Sequence, residues 1–115
     1  MKITELKIYH LEIPLRISFS HASATRKKTD SILVSAESIN GNIGYGEGCP
    51  RSYVTGETWK GAKEFFDRIH NTIKVVETYN DLCSWVKNNE SEIDKNPAVW
   101  CAIELALLDL LSKEN

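Results

Sequence analysis

Gly44-Tyr45-Gly46-Glu47-Gly48-Cys49-Pro50-Arg51-Ser52-Tyr53-Val54-Thr55-Gly56-Glu57-Thr58 passes from a glycine-rich strand, through a turn at Pro50, into the start of a helix. Glycines inside a strand mark a bulge or a close approach of another backbone. A phosphate cradle is excluded by spacing: the dinucleotide fingerprint needs GxGxxG directly between a strand and a helix. Here the third glycine comes one residue early and the helix starts well after it. Glu47 has no second carboxylate or histidine close in sequence, so general acid–base work lacks a partner group. Its reading is structural, as an acceptor of backbone or hydroxyl hydrogen bonds. The turn presents Arg51 and Tyr53.

Upstream, Ile3, Leu6, Ile8, Tyr9, Leu11, Ile13 and Leu15 make an extended run, with Pro14 near its end where a missing N–H does least harm. Arg16 to Thr29 is rich in Ser, Thr and Lys and reads as a long loop, a class that is often functional. Asp30 to Ile39 is a second strand. Asn40-Gly41 is a hairpin signal, since both residues accept positive φ, and Ile43 to Cys49 returns as a third strand. The first half is thus expected to be a three-stranded antiparallel meander.

Downstream, Trp59, Ala62, Phe65, Phe66, Ile69 and Ile73 recur at helical spacing. Thr55 is read as the N-cap, with Glu57 near the positive end of that helix. Asn80 or Asp81 would cap a short helix carrying Leu82, Trp85 and Val86, ended by the polar run Asn88 to Lys95. Asn96-Pro97 starts a last helix, with proline at its first position. Val99, Trp100, Ile103, Leu107, Leu110 and Leu111 line one face of it, and Cys101, Leu105 and Leu108 occupy much of the rest. A helix apolar on most sides needs cover on most sides; either the small helical cluster wraps it or a further surface does. The fold class is α+β: the meander, then a cluster of three or more helices.

The bulk numbers fit one ordinary globular domain, with 42% apolar and 26% charged residues over 115 positions. A net charge of −2 gives no field for nucleic acid, and Arg26-Lys27-Lys28 is a short cluster. Met1 to Glu5 alternates polar and apolar residues, unlike a signal peptide. No run of about 18 uncharged apolar residues would span a membrane. Cys49, Cys83 and Cys101 lie far apart and are odd in number, which argues against a disulfide framework or zinc and for reduced thiols in a cytoplasmic protein. His10, His21 and His70 lack ligand spacing to one another or to a cysteine, so no metal site is expected within the chain. His21 sits beside Phe19, Ser20 and Arg26, where it would either meet an anionic substrate or stand solvated. No GxSxG motif is present, nor a cysteine with a suitable downstream histidine.

Taken in order, Ile8-Tyr9-His10-Leu11-Glu12-Ile13-Pro14-Leu15, Ser18-Phe19-Ser20-His21-Ala22, Ser31-Ile32-Leu33-Val34, Asn40-Gly41 to Glu47, Pro50 to Thr58 and Ala102-Ile103-Glu104-Leu105-Ala106-Leu107-Leu108-Asp109-Leu110 resemble the N-terminal capping domain of the mandelate-racemase and muconate-lactonizing branch of the enolase superfamily. The second capping loop is similar to that of the muconate-lactonizing subgroup, which includes dipeptide epimerases. The resemblance implies an enolase N-terminal-like fold whose two loops close the mouth of a C-terminal (β/α) barrel. That barrel would carry Mg²⁺ and the acid–base residues, and would remove a proton next to a carboxylate. It implies substrate contacts from Phe19, Ser20, His21 and Arg26 in the first loop and from Arg51, Tyr53 and Val54 in the second. Arg26 or Arg51 would pair with the carboxylate of a dipeptide or muconate-like substrate. No catalytic or metal-binding residue is expected in this chain, which stops where the barrel would begin and is read as an excised or truncated piece, inactive alone. The alternative is a stand-alone interaction module that self-associates through the helix Pro97 to Ser112.

Overall fold

The computed structural model describes residues 1–12, 14–21, 24–28, 31–50 and 56–114, with backbone alone for 14–21 and 24–28. Strands β1 (Ile3–Leu11), β2 (Pro14–His21), β3 (Ala24–Lys28), β4 (Ser31–Ser38) and β5 (Ile43–Gly48) precede helices α1 (Trp59–Ile69), α2 (Tyr79–Asn88), α3 (Glu90–Asp94) and α4 (Pro97–Glu114). A single 3-10 turn, Ile73–Val75, follows α1. The main sheet has the order β1-β4-β5 and is antiparallel throughout, as the sequence pattern predicts.

The expected long loop is not one. Pro14–His21 and Ala24–Lys28 form a second, two-stranded sheet, with Phe19 opposite Arg26, Ser20 opposite Thr25 and His21 opposite Ala24. The alternation of Leu15, Ile17 and Phe19 with Arg16, Ser18 and Ser20 is present in β2, but β3, Ala24-Thr-Arg-Lys-Lys28, carries none to announce a partner strand. The Asn40-Gly41 hairpin is present, but Gly41 alone has positive φ, at 85°. Ser38 N–H donates to Asn42 O and Gly41 N–H to Ser38 O, both at 3.0 Å. The connection is therefore the longer kind, a tight turn followed by one left-handed glycine.

Helix starts differ in detail from the sequence reading. The N-cap of α1 is Thr58, whose hydroxyl accepts from Gly61 N–H at 3.1 Å; Thr55 lies outside the described residues. Helix α2 is capped by Thr78 in a reciprocal capping box with Asp81. The polar run after α2 holds the five-residue α3, which buries Ile93.

The core lies between the sheet and the helices. Ile32, Val34 and Ala36 of β4 meet Phe65, Ile103, Leu107 and Leu110, all fully or nearly fully buried. Trp85 of α2 stacks on Trp100 of α4, with ring centroids 5.1 Å apart and planes within 12°. Such a pair adds about 1 kcal/mol beyond the area it buries.

Helix α4 packs on β5 more closely than side chains allow. A Cβ placed on Gly44 would fall on the carbonyl of Ala106, on Gly46 on the carbonyl of Ala102, and on Gly48 on the carbonyl of Ala98. Glycine at every second strand position thus meets alanine at every fourth helix position. The repeats nearly match: two strand residues advance about 6.7 Å and four helix residues about 6 Å. Two backbones can then lie in contact over three successive steps.

The same contact shields an edge strand. β5 is the outer strand of the sheet, and exposed edges invite pairing with other chains. Asp109 of α4 accepts from Tyr45 N–H at 2.9 Å, and Lys113 Nζ donates to Ile43 O at 2.7 Å. Lys113 also pairs with Asp109 at 2.9 Å. The Tyr45 N–H first, and then Lys113, hold the Asp109 carboxyl below the usual carboxylate range.

Gly46→Ala is expected to lower unfolding stability by about 3 kcal/mol, at the upper end for overpacking. Gly61→Ala, whose new Cβ meets the Thr58 hydroxyl at no less than 3.4 Å, is expected to be neutral or stabilising by up to about 1 kcal/mol; urea denaturation reads both. Because the folded Asp109 pKa is depressed, its contribution is full above the unfolded value of about 4 and is lost as pH falls through the lower folded value. Wild type should therefore lose more stability than Asp109→Asn between about pH 5 and pH 2, measured by acid titration of the denaturation midpoint.

Candidate functional site

One end of the main sheet gathers the segments that the sequence singles out. There β1 ends at Leu11, β4 begins at Ser31 opposite it, and β5 ends at Gly48. The β2–β3 hairpin leaves from this end, and so does the segment that leads to α1. The opposite end holds the tight hairpin at Gly41 and the last turn of α4, where Asn42 Nδ2 donates to Glu114 at 2.6 Å. The end that carries the loops and the end where α4 finishes are thus apart by the length of an 18-residue helix, about 27 Å.

Several side chains fix the loop-bearing end. His10 of β1 stacks on Trp59 at the start of α1, with centroids 4.6 Å apart and planes within 9°. His10 Nδ1 also lies 3.6 Å from Glu12 Oε1. The ring stack ties the last turns of β1 to the first residue of α1, on either side of the two loops. Ser31, 7% exposed, donates its hydroxyl to Glu47 Oε1 at 3.4 Å and sits 3.6 Å from Cys49 Sγ. Glu47 thus accepts a hydroxyl hydrogen bond, as the sequence analysis expects.

Glu57 directly precedes the N-cap of α1 and also reaches a second helix. Its carboxylate accepts from Ala98 N–H at 2.8 Å, so it serves the positive end of α4. A carboxylate there satisfies one of the unpaired N–H groups of the first turn and meets the helix dipole favourably. Gly56, just before it, has φ of 78°, a conformation that glycine adopts without strain. The chain is therefore turned sharply and then tied to α4 directly after the second loop. Sequence spacing could not reveal this, because Glu57 and Ala98 are far apart in the chain.

Among the proposed substrate contacts, Phe19, Ser20, His21 and Arg26 lie on the β2–β3 hairpin, near its turn. Arg51, Tyr53 and Val54 fall outside the described residues. His10 and His70 are apart from each other: His70 Nε2 lies 3.1 Å from the Leu6 carbonyl. Among the described residues, no group of three or more His, Cys, Asp or Glu converges as a metal site.

Within the two loop segments themselves the charge is one-sided, although Glu12, Glu47 and Glu57 flank them; Arg26-Lys27-Lys28 read alone does not show it. Residues 13–29 and 48–56 hold five of the 14 Lys and Arg and none of the 16 Asp and Glu. The remainder of the chain carries nine Lys and Arg against 16 Asp and Glu, so it is acidic while the two segments are net positive.

Comparison with known proteins places this geometry. No family model matches the chain. It is similar to the hydrophobic dipeptide epimerase of Enterococcus faecalis, 30% identical over 118 residues, which cover 99% of this chain and 32% of that enzyme. It is 29% identical to the N-succinyl-L-Arg/Lys racemase of Bacillus cereus, over 99% of this chain and 31% of the relative. The solved structure of the Enterococcus faecalis dipeptide epimerase with Mg and L-Leu-L-Tyr superposes with a TM-score of 0.82 over 99% of this chain and 32% of that one, at 30% identity. The chain is an N-terminal capping domain of the enolase superfamily. This capping domain spans about a third of the length of the curated relatives it matches. A muconate lactonizing enzyme shares its fold, with a TM-score of 0.84 at 23% identity.

Glu57→Ala is expected to destabilise the capping domain by about 1 kcal/mol, the usual cost of losing a helix cap. Glu57→Gln should recover most of that, since its side-chain oxygen still accepts from Ala98 N–H. Equal losses in chemical denaturation would contradict the cap.

Proposed function

We propose that this domain covers the active site of a Mg²⁺-dependent isomerase or lactonizing enzyme, of the dipeptide epimerase or muconate cycloisomerase type, that removes a proton next to a carboxylate. The supporting observation is the cationic, carboxylate-free pair of loop segments at one end of a rigid sheet. Such an edge favours a substrate bearing carboxylates, and a guanidinium matches a carboxylate with two parallel hydrogen bonds. The relatives are racemases and epimerases of amino-acid derivatives and dipeptides.

In this reading Arg26 and Arg51 hold the substrate carboxylate or a dipeptide terminus. Phe19, Tyr53 and Val54 pack on its side chains, and Ser20 and His21 supply polar contacts. The β2–β3 hairpin and the second loop exclude water when they close over the substrate. The described residues offer no donor set for Mg²⁺, and structures of two dipeptide epimerases contain it. The ion and the proton-transferring groups would belong to a C-terminal barrel, and the 115-residue chain alone would not catalyse.

The direct test supplies dipeptides and Mg²⁺ in heavy water and follows deuterium entering the α-position. No incorporation is expected from this chain alone. A chimera in which it replaces the matched third of the Enterococcus faecalis epimerase is expected to incorporate deuterium. In that chimera Arg26→Ala and Arg51→Ala should each raise KM about tenfold, the order expected for a lost charge-assisted pair. Turnover by the isolated chain, or unchanged kinetics in both variants, would contradict the reading.

A further inference from the structure

We propose that Asn40 is a site of spontaneous deamidation restrained by Glu114, and that its conversion to aspartate or isoaspartate releases the last turn of α4 from the β4–β5 hairpin. The site lies at the end of the sheet opposite the loops and is independent of the catalytic reading. Of the asparagines in the chain, Asn40 alone is followed by glycine. Asparagine is among the thermally labile residues, and a glycine after it leaves the next backbone nitrogen unhindered. Asn40 and Gly41 are both exposed, and a Cβ placed on Gly41 would meet nothing within 4 Å. Solvent base therefore reaches the Gly41 N–H. The Gly41 nitrogen, losing its proton to that base, bonds to Asn40 Cγ while the Cγ–Nδ2 bond breaks. Nδ2 leaves as ammonia with a proton from water. Water then opens the cyclic imide at either carbonyl, giving aspartate or isoaspartate without oxidant or cofactor.

Two hydrogen bonds oppose the first step. Gly41 N–H donates to Ser38 O at 3.0 Å, which withholds the nucleophile. Asn40 Nδ2 donates to Glu114 Oε2 at 3.2 Å, which ties the leaving amide to α4. The same oxygen accepts from Asn42 Nδ2 at 2.6 Å. The neighbouring Ser38 hydroxyl first, then Asn42 and Asn40, hold the Glu114 carboxyl below the usual carboxylate range, so it is an anion at neutral pH. Both restraints must open before the ring can close, so the rate follows local opening of the hairpin and the last helical turn. The product reverses the contact. A neutral donor becomes a second carboxylate beside Glu114, and the two repel until salt screens them. Isoaspartate also routes the main chain through the former side chain. That adds one carbon between Ser38 and Asn42, where the bond from Ser38 N–H to Asn42 O closes the hairpin.

The test incubates the 115-residue chain in mildly alkaline heavy-oxygen water and follows the peptide that holds Asn40 by mass spectrometry. One solvent oxygen is expected to enter at Asn40, with both aspartate and isoaspartate as products. Glu114→Ala is expected to speed the reaction about three- to tenfold, the factor that one net hydrogen bond contributes. Glu114→Gln, which still accepts from Asn40, should speed it less. In Asn40→Asp, the amides of Leu111 to Glu114 should exchange about twofold faster at low salt than in Asn40→Ala, and equally fast at high salt. An Asn40 that stays intact in the folded chain while it converts in the urea-unfolded chain would overturn the site. Equal rates in wild type and both Glu114 variants would overturn the restraint. Equal exchange in Asn40→Asp and Asn40→Ala at low salt would overturn the release of α4.

Discussion

The contact on which this domain depends is backbone against backbone, where α4 lies on β5. An alanine row in the helix meets a glycine row in the strand, and three carbonyls occupy the space where side chains would stand. The closeness sets the height of α4 above the sheet, and so the depth of the core that Ile103, Leu107 and Leu110 share with Ile32 and Val34. It also brings Asp109 and Lys113 within reach of the β5 edge. Any larger residue at Gly44, Gly46 or Gly48 would lift the helix and undo all three.

Function follows from position rather than from reactive groups. The sheet and α4 form a stiff body, and its two ends differ in kind. One end is closed by Gly41 and the Asn42–Glu114 contact. The other carries the β2–β3 hairpin and the second loop, with His10 stacked on Trp59 and Glu57 bound to Ala98 holding their bases in place.

The sheet and helices were legible because their cues are local. Alternation in β1 and β4, the Asn40-Gly41 turn, and Pro97 after Asn96 each act within a few residues. The close approach was legible too, since only glycine tolerates it, but its partner was not. Ala98, Ala102 and Ala106 carry little hydrophobicity and drop out of any apolar stripe, so α4 looked uniformly greasy rather than faced. The β2–β3 hairpin is hidden because only β2 alternates, with Leu15, Ile17 and Phe19, while β3 is polar after Ala24. The bond from Ala98 N–H to Glu57 was not legible, because sequence cannot show that α4 begins beside it. At the candidate site, the residue types of the two loops were readable, whereas their supports, His10 with Trp59 and Ser31 with Glu47, come together only through strand register and helix placement.

Native-state hydrogen exchange across β5 tests the central claim most directly. An ordinary edge strand opens locally, at a free energy well below that of global unfolding. With α4 seated on its backbone and Asp109 holding Tyr45 N–H, the amides of Gly44 to Gly48 should exchange only through global unfolding, as slowly as those of Ile32 to Ala36 in the central strand. Exchange of β5 by a separate, lower-energy opening, with β4 and α4 still protected, would contradict the account.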